Sequence, residues 1–466
     1  MKLCAPEAWA KAQWRRVDLG DARLNRRAVQ VGAAMATHVD ESLPRQMGNA
    51  AALQGAYDLL NHPRLTLAKL AGPHWENTRY AAAQQSVVLF IQDTSEFHKK
   101  GLGPVGDGKG RGLLLHTVLA VVPQAVPEIL GVAHQQTVLR QPSQVPRPKY
   151  SGSPEGQVWA EAATAVGEAP EGVLWVHVGD GGSDDFRFMH GCQGKHFLLR
   201  VARNRLLAWE REVELPMRKL RDCARALPVQ HRFRLKVPAG PKRLAREAQM
   251  CLAYQEVTIP APAQGPASWR DWPPIRAWVL RSWEVEAPPG AEAPEWILLT
   301  SVPTTTLAEA LQRVQWYACR WLVEDYHQCL KTGCRIEQSR LDHCEDIERL
   351  LGFCGPIAAR LLSMRQTARD DPEAPAERRV DPFVVQILAR KLQWPAGAPV
   401  SAQRFWHGVA QLGGYLARKR DGPPGWQSIW HGWRYLQDLV AGARLYLADP
   451  PKSSTPSNEQ HVFSTT

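Results

Sequence analysis

The chain has 466 residues, a formal net charge of +11 and a pI of about 9.3. Its 44% hydrophobic and 22% charged content is that of an ordinary globular protein, long enough for roughly two to four domains. No run approaches the roughly 18 apolar residues of a membrane span, and nothing after Lys2 resembles a secretory signal. We therefore expect a cytoplasmic protein with no membrane contact and a polyanionic partner, with a merely basic soluble enzyme as the alternative.

The cysteines and tryptophans add two weaker indications. The nine cysteines are irregularly spaced and form no CxxC pair, which favours reduced structural cysteines over a zinc knuckle near His327 and His343. Most of the 18 tryptophans should lie in the core, but a tryptophan can also stack on an extruded base.

Residues 1–68 are predicted to form a separate helical domain. Asp21 suits a helix N-cap, and apolar residues follow it at helical spacing from Leu24 to Met35. Arginines at positions 23, 26 and 27 give the first turns of this helix a cationic edge. Such an edge suits DNA binding, and a solvated cationic face is the alternative.

Strands and helices then alternate through residues 69–369. Apolar runs predict buried strands at 86–91 and 173–178, followed by Asp93 and Asp180, respectively. Two strands at 113–122 and 127–138 should be antiparallel to the first. A helix is predicted at 155–166, and another strand at 196–201, with Arg200 near its exit.

This order is close to that of a ribonuclease-H-like α/β fold. In that topology the strands before Asp93 and Asp180 are neighbours, so the two acids would lie side by side. Adjacent carboxylates repel unless a cation lies between them, and the pair therefore implies a divalent metal. A turn-forming aspartate after each strand is the alternative interpretation.

Residues from about 228 to 302 are predicted to be an all-β insertion in this core. The stretch from Arg232 to Val237 alternates strictly between basic and apolar residues, and Pro- and Gly-rich loops separate the later strands. The basic face of the insertion could contact DNA, although an ordinary solvent-exposed face is slightly favoured.

The stretch Tyr317–Lys331 contains no Pro or Gly and predicts one helix. At about 100° per residue, four of its side chains share one stripe: Tyr317, Arg320, Glu324 and Lys331. A carboxylate flanked by two cations and a phenol suits a site that holds a divalent metal against phosphate. A solvated charged stripe with i,i+4 pairing is the alternative.

Residues 370–448 predict a helical C-terminal domain, with helices near 382–392, 402–418 and 426–447. Its tryptophans give a larger apolar surface than three short helices need, which indicates either a dimer contact or a private helical core. The Pro/Ser/Thr-rich segment 449–466 is predicted to be a disordered tail.

Taken together, these motifs resemble those of bacterial cut-and-paste DDE transposases of the IS-four family, and within it the Tn-five transposase group. The Tyr317–Lys331 stretch reproduces the family's Tyr-x2-Arg-x3-Glu-x6-Lys pattern. Gln92-Asp93-Thr94 looks like the first catalytic Asp motif and Asp180 like the second. Leu19-Gly20-Asp21 and Gln54-Gly-Ala-Tyr57 resemble the end-recognition domain, and segments at 412–415 and 425–433 resemble the dimerisation region.

The resemblance implies a ribonuclease-H-like catalytic core in which Asp93, Asp180 and Glu324 are the catalytic and metal-binding residues. They would hold two Mg²⁺ ions, with Mn²⁺ as a substitute, about 3.5–4 Å apart. Trp296 matches the family tryptophan that stacks on a flipped base. The DNA-binding residues are then expected to be Tyr317, Arg320, Lys331, Trp296, Arg200, Arg23, Arg26 and Arg27.

The implied partners are double-stranded transposon ends and target DNA, with a homodimer in the synaptic complex. Such an insertion-sequence enzyme would associate with the bacterial nucleoid when bound to DNA. Two features depart from the family: Gly181-Gly182 follows the second Asp where charged residues are frequent, and Asp58 replaces a common basic residue. The alternatives are a ribonuclease-H-like nuclease without strand transfer and a domesticated DNA-binding protein that has lost catalysis.

Overall fold

The computed structural model describes residues 6–448, except 106–109, 140–153, 193, 209–214, 238–245, 264–268, 270, 289–292, 342, 396 and 419–420. The predicted tail at 449–466 lies outside the described residues. Pro6–Asp370 forms one compact unit, and the residues from Asp371 onward belong to another. Among the described helices, none combines the length and the apolar character that crossing a bilayer requires.

Five helices begin the first unit: α1 (Pro6–Trp14), α2 (Ala22–Thr37), α3 (Leu43–Met47), α4 (Ala50–Leu60) and α5 (Leu67–Ala82). Asp21 caps α2 by accepting a hydrogen bond from the Arg23 backbone N–H at 2.7 Å, as predicted. The predicted apolar stripe of α2 is buried, and it includes Ala28, Val31 and Met35. Trp14 of α1 packs within this group of helices, where its ring lies 5.4 Å from that of Phe353.

The strands of the first unit are β1 (Val87–His98), β2 (Pro104–Val105), β3 (Gly110–Val122), β4 (Glu128–Val138), β5 (Leu174–Gly179), β6 (His196–Arg200), β7 (His231–Val237), β8 (Arg246–Ile259), β9 (Ile275–Glu284) and β10 (Glu295–Thr300). They follow the order β2-β3-β1-β5-β6-β10-β9-β8-β7, and β4 pairs with β3. The β1–β5 and β5–β6 pairs are parallel, and the other pairs are antiparallel. Helices α6 (Pro154–Val166), α7 (Phe186–Gly191) and α8 (Leu220–Ala226) lie between strands in the chain.

This arrangement confirms a mixed α/β class with helical segments before and after the sheet. The narrower ribonuclease-H-like assignment and the predicted domain boundaries stay predictions. The expected β segment at 228–302 contains β7 to β10, and these strands extend the central sheet rather than form a sheet of their own. β10 pairs with β6, with Leu298 opposite Arg200. The backbone groups on this edge of β6 are therefore hydrogen-bonded to another strand of the same chain.

The prediction of one continuous helix over Tyr317–Lys331 is wrong. The chain forms α9 (Leu307–Ala318), α10 (Trp321–Gln328), a π-helical turn at Cys329–Gly333 and then α11 (Cys344–Thr367). Between α9 and α10 the backbone tightens into i→i+3 hydrogen bonds, such as the 3.0 Å bond from Arg320 N–H to the Tyr317 carbonyl. After α10 it widens, and the Cys334 N–H reaches back five residues to the Cys329 carbonyl at 2.8 Å. Helix-forming side chains do not encode such local changes of pitch.

The second unit contains α12 (Pro382–Lys391), α13 (Ala402–Leu412) and α14 (Trp426–Ala448). Its apolar side chains are buried within the unit itself: Trp406, Trp426, Trp430, Trp433 and Leu436. This burial places the named tryptophans in a helical core, and the dimer contact stays a prediction. The α13–α14 crossing needs glycine, because a Cβ added at Gly432 would lie 1.6 Å from the Val409 carbonyl oxygen.

We predict that Gly432→Ala destabilises the second unit by about 1–3 kcal/mol or more, because the new methyl group must push two helix backbones apart. Gly442→Ala, in the same helix, is the matched control, since a Cβ there meets no atom within 4 Å. It should leave stability unchanged or raise it by up to about 1 kcal/mol. Urea unfolding followed by tryptophan fluorescence measures both, and equal midpoints for the two variants would contradict the close crossing.

Candidate active site

The parallel register of β1 and β5 sets the relative positions of the first two acids. The paired residues run from Val87 opposite Leu174 to Ile91 opposite Val178. Continuing this register by two residues brings Asp93 beside Asp180. Neighbouring strands lie about 4.8 Å apart, and side chains at the same register point to the same face. The expectation that these two acids are neighbours rests on this extended register and stays a prediction; β1 itself continues to His98 and does not end before Asp93.

Asp180 lies just past β5, and the two glycines that follow it shape its surroundings. Its side chain accepts a hydrogen bond from the Gly182 N–H at 2.8 Å. A Cβ added at Gly182 would lie 3.0 Å from Asp180 Oδ1, so a larger residue would crowd this carboxylate. Gly181-Gly182, the departure noted in the sequence, thus lets the backbone hold and orient the second acid.

Asp184 is a separate acid with a structural role. Its buried carboxylate accepts hydrogen bonds from the backbone N–H groups of Ala202 and Arg203, at 2.8 and 2.7 Å. It also forms an ion pair with Arg205. These contacts fix the loop that leaves β6, and they use up the carboxylate, so Asp180 is the acid that is available at this edge of the sheet.

Glu324 reaches Asp93 from α10. A cleft of about 290 Å³ is lined by both acids, together with Ser95, His327, Gln328, Lys331 and Thr332. Lys331 comes from the π-helical turn, and its ammonium group lies 5.2 Å from the centre of the Phe97 ring. Asp180 is not part of this lining. The structure therefore brings Asp93, Glu324 and Lys331 to one cleft, and Asp180 is aligned with Asp93 only by the extended β1–β5 register.

Arg320 links the helix to these acids. Its guanidinium donates to Glu324 Oε1 at 2.6 Å. Burial by itself lowers the pKa of Arg320, but the hydrogen bond to Glu324 and the charges of Tyr317, Glu324 and Asp93 raise that pKa overall. Arg320 thus lies within electrostatic reach of both carboxylates that line the cleft.

Tyr317 lies on the Asp180 side of the same arginine. Burial is the main cause that raises the pKa of Tyr317, Arg320 and Arg200 oppose the rise, and Asp180 adds to it. The charges of Asp180, Arg200 and Arg320 therefore all act on the phenol. Trp296 at the start of β10 packs edge-on against Tyr317, with 5.2 Å between ring centres, and remains partly exposed. Five of the residues predicted for DNA binding are thus near the acids.

The three predicted metal ligands do not form a preassembled metal cage. Among the described residues, no group of three or more His, Cys, Asp or Glu side chains is placed to hold a metal ion. Glu324 engages Arg320, Asp180 engages Gly182, and Asp93 Oδ2 lies 3.5 Å from His327 Nδ1. The donor set has the oxygen chemistry that Mg²⁺ prefers, but its ligands are held by protein groups.

The sequence indicated no role beside the acids for two residues of this region. His327, only 5% exposed at its side chain, contacts Asp93, and its place three residues after Glu324 was the available signal. Trp321 is 57% exposed, which is unusual for tryptophan, and its ring centre lies 5.1 Å from the Arg320 guanidinium carbon. Its sequence position inside the Tyr-Arg-Glu-Lys stretch could have singled it out among the tryptophans.

The remaining predicted DNA contacts are on α2. Arg23, Arg26 and Arg27 are all exposed, opposite the buried stripe of this helix. The Arg27 side chain packs over α4 at Gly55, where an added Cβ would lie 1.6 Å from a guanidinium nitrogen. The glycine in Gln54-Gly-Ala-Tyr57 thus makes room for an arginine of the cationic edge.

Residues 6–65 match a family model described as transposase DNA-binding. The matched segment contains α1 to α4, including the three exposed arginines of α2. The match supports DNA as a partner and a transposase as the kind of protein. It ends before β1, so it does not extend to the acids of the cleft.

A second polar network lies on the opposite face of β1. Gln92 Oε1 lies 2.9 Å from His116 Nε2, and Gln92 Nε2 lies 2.9 Å from His177 Nδ1. Burial lowers the pKa of His116 and of His177 to about 3. Both histidines are therefore neutral in the folded protein near pH 6.

We predict that stability falls as the pH decreases from 6.5 toward 3. The folded pKa of His177, about 3, is below the unfolded value of about 6.5, so the unfolded state binds the extra proton in this window. Each such histidine then costs about 1.4 kcal/mol per pH unit. Urea unfolding at pH 6.5, 5.5 and 4.5 should show a smaller slope for His177→Gln than for the exposed control His343→Gln. Identical slopes for the two variants would contradict this origin.

Proposed function

We propose that the chain is a cut-and-paste DNA transposase that cleaves transposon ends and joins them to target DNA by metal-dependent phosphoryl transfer. One observation carries the proposal: the β1–β5 register aligns Asp93 with Asp180, while Glu324 lines the Asp93 cleft. The similarity of residues 6–65 to transposase DNA-binding domains supports it. The intact Tyr-Arg-Glu-Lys spacing adds the phosphate-binding groups that such chemistry needs.

The donor set suits Mg²⁺, with Mn²⁺ as a substitute. Asp93, Asp180 and Glu324 would hold the ions, which supply activation of an attacking water or 3′-hydroxyl and stabilisation of the leaving oxygen. The fit follows from donor chemistry: adjacent carboxylates carry a mutual repulsion that a cation removes. Arg320 pairs with Glu324 and offsets the charge of this third carboxylate.

The cations of the cleft would position the DNA backbone. Lys331 lines the cleft beside Glu324, and Arg320 presents a planar guanidinium that matches a phosphate. Arg200 is exposed and would contact a neighbouring phosphate, whereas Tyr317 is buried and would support Arg320 and Trp296 rather than touch the DNA. Positive groups on both sides of the acids orient the scissile phosphate without adding further negative charge.

Two tryptophans can receive or displace a base near the cut. Trp296 is partly exposed and backed by Tyr317, so its ring is held for stacking. Trp321 offers an exposed ring at the start of the helix that carries Glu324. Stacking a base on an aromatic ring contributes about 1–3 kcal/mol, which is enough to offset the unstacking of one nucleotide.

We predict that Glu324→Gln abolishes strand nicking and strand transfer and leaves end binding intact. The substitution removes a negative oxygen donor, whereas the segment matched to transposase DNA-binding domains lies far away in the sequence. The substrate is a duplex carrying the inverted repeats that flank the gene, incubated with Mg²⁺. Products are resolved on denaturing gels, and binding is followed by gel shift.

Glu345→Gln, an exposed carboxylate of α11, is the matched control and should keep full activity. Nicking by Glu324→Gln at the wild-type rate would refute the catalytic assignment. Nicking by the wild type without joined products would favour the ribonuclease-H-like nuclease instead, and binding without any nicking would favour a protein that has lost catalysis. A homodimeric synaptic complex predicts that both ends are cut together.

We predict that replacing Arg23, Arg26 and Arg27 by alanine weakens DNA-end binding and reduces its salt dependence. Each lost phosphate contact lowers the slope of log K against log salt by about 0.9, so three contacts give a decrease of roughly 2.7. Arg45→Ala is the control, since Arg45 is exposed in the same matched segment and pairs with Glu41. Fluorescence anisotropy between 50 and 200 mM salt measures the slopes, and unchanged slopes in the triple variant would exclude α2 from the interface.

A further inference from the structure

The imidazole of His327 bridges two strands beneath the candidate active site. Its Nδ1 lies 3.5 Å from Asp93 Oδ2, and its Nε2 lies 3.2 Å from Thr117 Oγ1. Asp93 and Thr117 are directly opposite each other in the β1–β3 pair. A single side chain from α10 therefore contacts a cross-strand pair, one residue of which is the first acid.

The environment of His327 is closed on the side away from the cleft. The residue is 4% exposed and Thr117 is fully buried. Gln135 of β4 donates to Thr117 Oγ1 at 3.1 Å and to the Tyr326 hydroxyl at 3.0 Å. The Tyr326 hydroxyl donates in turn to the Gly355 carbonyl of α11, at 3.4 Å. Two consecutive residues of α10 thus take part in one buried network.

This network determines which imidazole nitrogen carries the proton. An ionised carboxylate only accepts hydrogen bonds, so the nitrogen that faces Asp93 has to be the N–H. Nε2 is then an acceptor, and the Thr117 hydroxyl is free to donate to it because Gln135 supplies its own N–H groups to Thr117 and Tyr326. With this assignment each of these donors has one acceptor, and Nδ1 is the nitrogen that contacts Asp93.

We propose that His327 is a positioning residue that orients the Asp93 carboxylate toward the cleft and ties Asp93 to the helix carrying Glu324. This inference rests on the proposed function. Outer partners of this kind fix a ligand before the metal arrives, and their loss typically lowers metal affinity or activity about 10–100-fold. Because the contact that His327 makes in the cleft is with Asp93, its proposed effect is exerted through the first acid.

Two isosteric replacements test the contacts of the two imidazole nitrogens of His327 separately. Asparagine places its amide where Nδ1 lies, so His327→Asn keeps a donor toward Asp93. Glutamine places its amide where Nε2 lies, so His327→Gln keeps the Thr117 contact and loses the Asp93 contact. We expect His327→Gln to weaken Mn²⁺ binding and slow nicking at saturating DNA by about 10–100-fold, and His327→Asn to remain close to wild type.

Mn²⁺ binding to the DNA-free full chain is measured by isothermal titration calorimetry, nicking by the duplex assay, and folding by thermal unfolding. Thr117→Val is an additional variant that leaves His327 in place and removes the hydroxyl that donates to Nε2; it should fall between the two histidine variants. Equal losses in His327→Asn and His327→Gln, or wild-type behaviour of His327→Gln and Thr117→Val, would overturn the positioning role.

The experiment also distinguishes this inference from the proposed function. If the wild type binds Mn²⁺ and nicks DNA while the variants do not differ, only the role of His327 falls. If the wild type neither binds Mn²⁺ nor nicks DNA, the proposed function falls and this inference falls with it.

Discussion

The candidate site depends on one constraint, the parallel pairing of β1 with β5. It aligns two aspartates that are far apart in the sequence, Asp93 and Asp180, at an edge of the sheet where β5 has ended and β1 continues. Two adjacent carboxylates repel each other unless something neutralises them. The surrounding residues stabilise the two carboxylates in part, because Gly182 donates a backbone N–H to one acid and His327 faces the other. A divalent cation would neutralise their remaining negative charge.

The third acid is positioned by a different kind of contact. Glu324 is on the short helix α10. This helix begins after a turn with i→i+3 hydrogen bonds and ends in a π-helical turn. The buried face of this helix consists of Leu322, Val323, Tyr326 and His327. Tyr326 and His327 also form hydrogen bonds with Gln135 and Thr117, so apolar packing and buried hydrogen bonds together fix the rotation of the helix. The same rotation presents Glu324, Lys331 and the exposed ring of Trp321 on the open side.

Local patterns predicted much of this arrangement, and long-range pairing determined the rest. An apolar run followed by an acid is a local signal, so Asp93 and Asp180 could be singled out before any fold was known. The register that aligns them, the extension of the sheet by β10 and the burial of the C-terminal tryptophans depend on tertiary contacts. The two breaks in the helix around α10 were not predicted, because its residues are good helix formers. The change of pitch is visible only in the structure, where Arg320 and His327 make buried contacts. Gly182, which looked like a departure in the sequence, lies close to Asp180 and donates its backbone N–H to that carboxylate.

The central claim is that residues 93, 180 and 324 share one divalent-metal centre, and affinity cleavage tests it most directly. Fe²⁺ is added in place of Mg²⁺, with ascorbate and peroxide, so that hydroxyl radicals cut the polypeptide near the bound ion. The account predicts cuts beside Asp93, Asp180 and Glu324, all of which disappear when excess Mg²⁺ is present. Cuts confined to other segments, or a pattern in which one of the three acids is never reached, would contradict it.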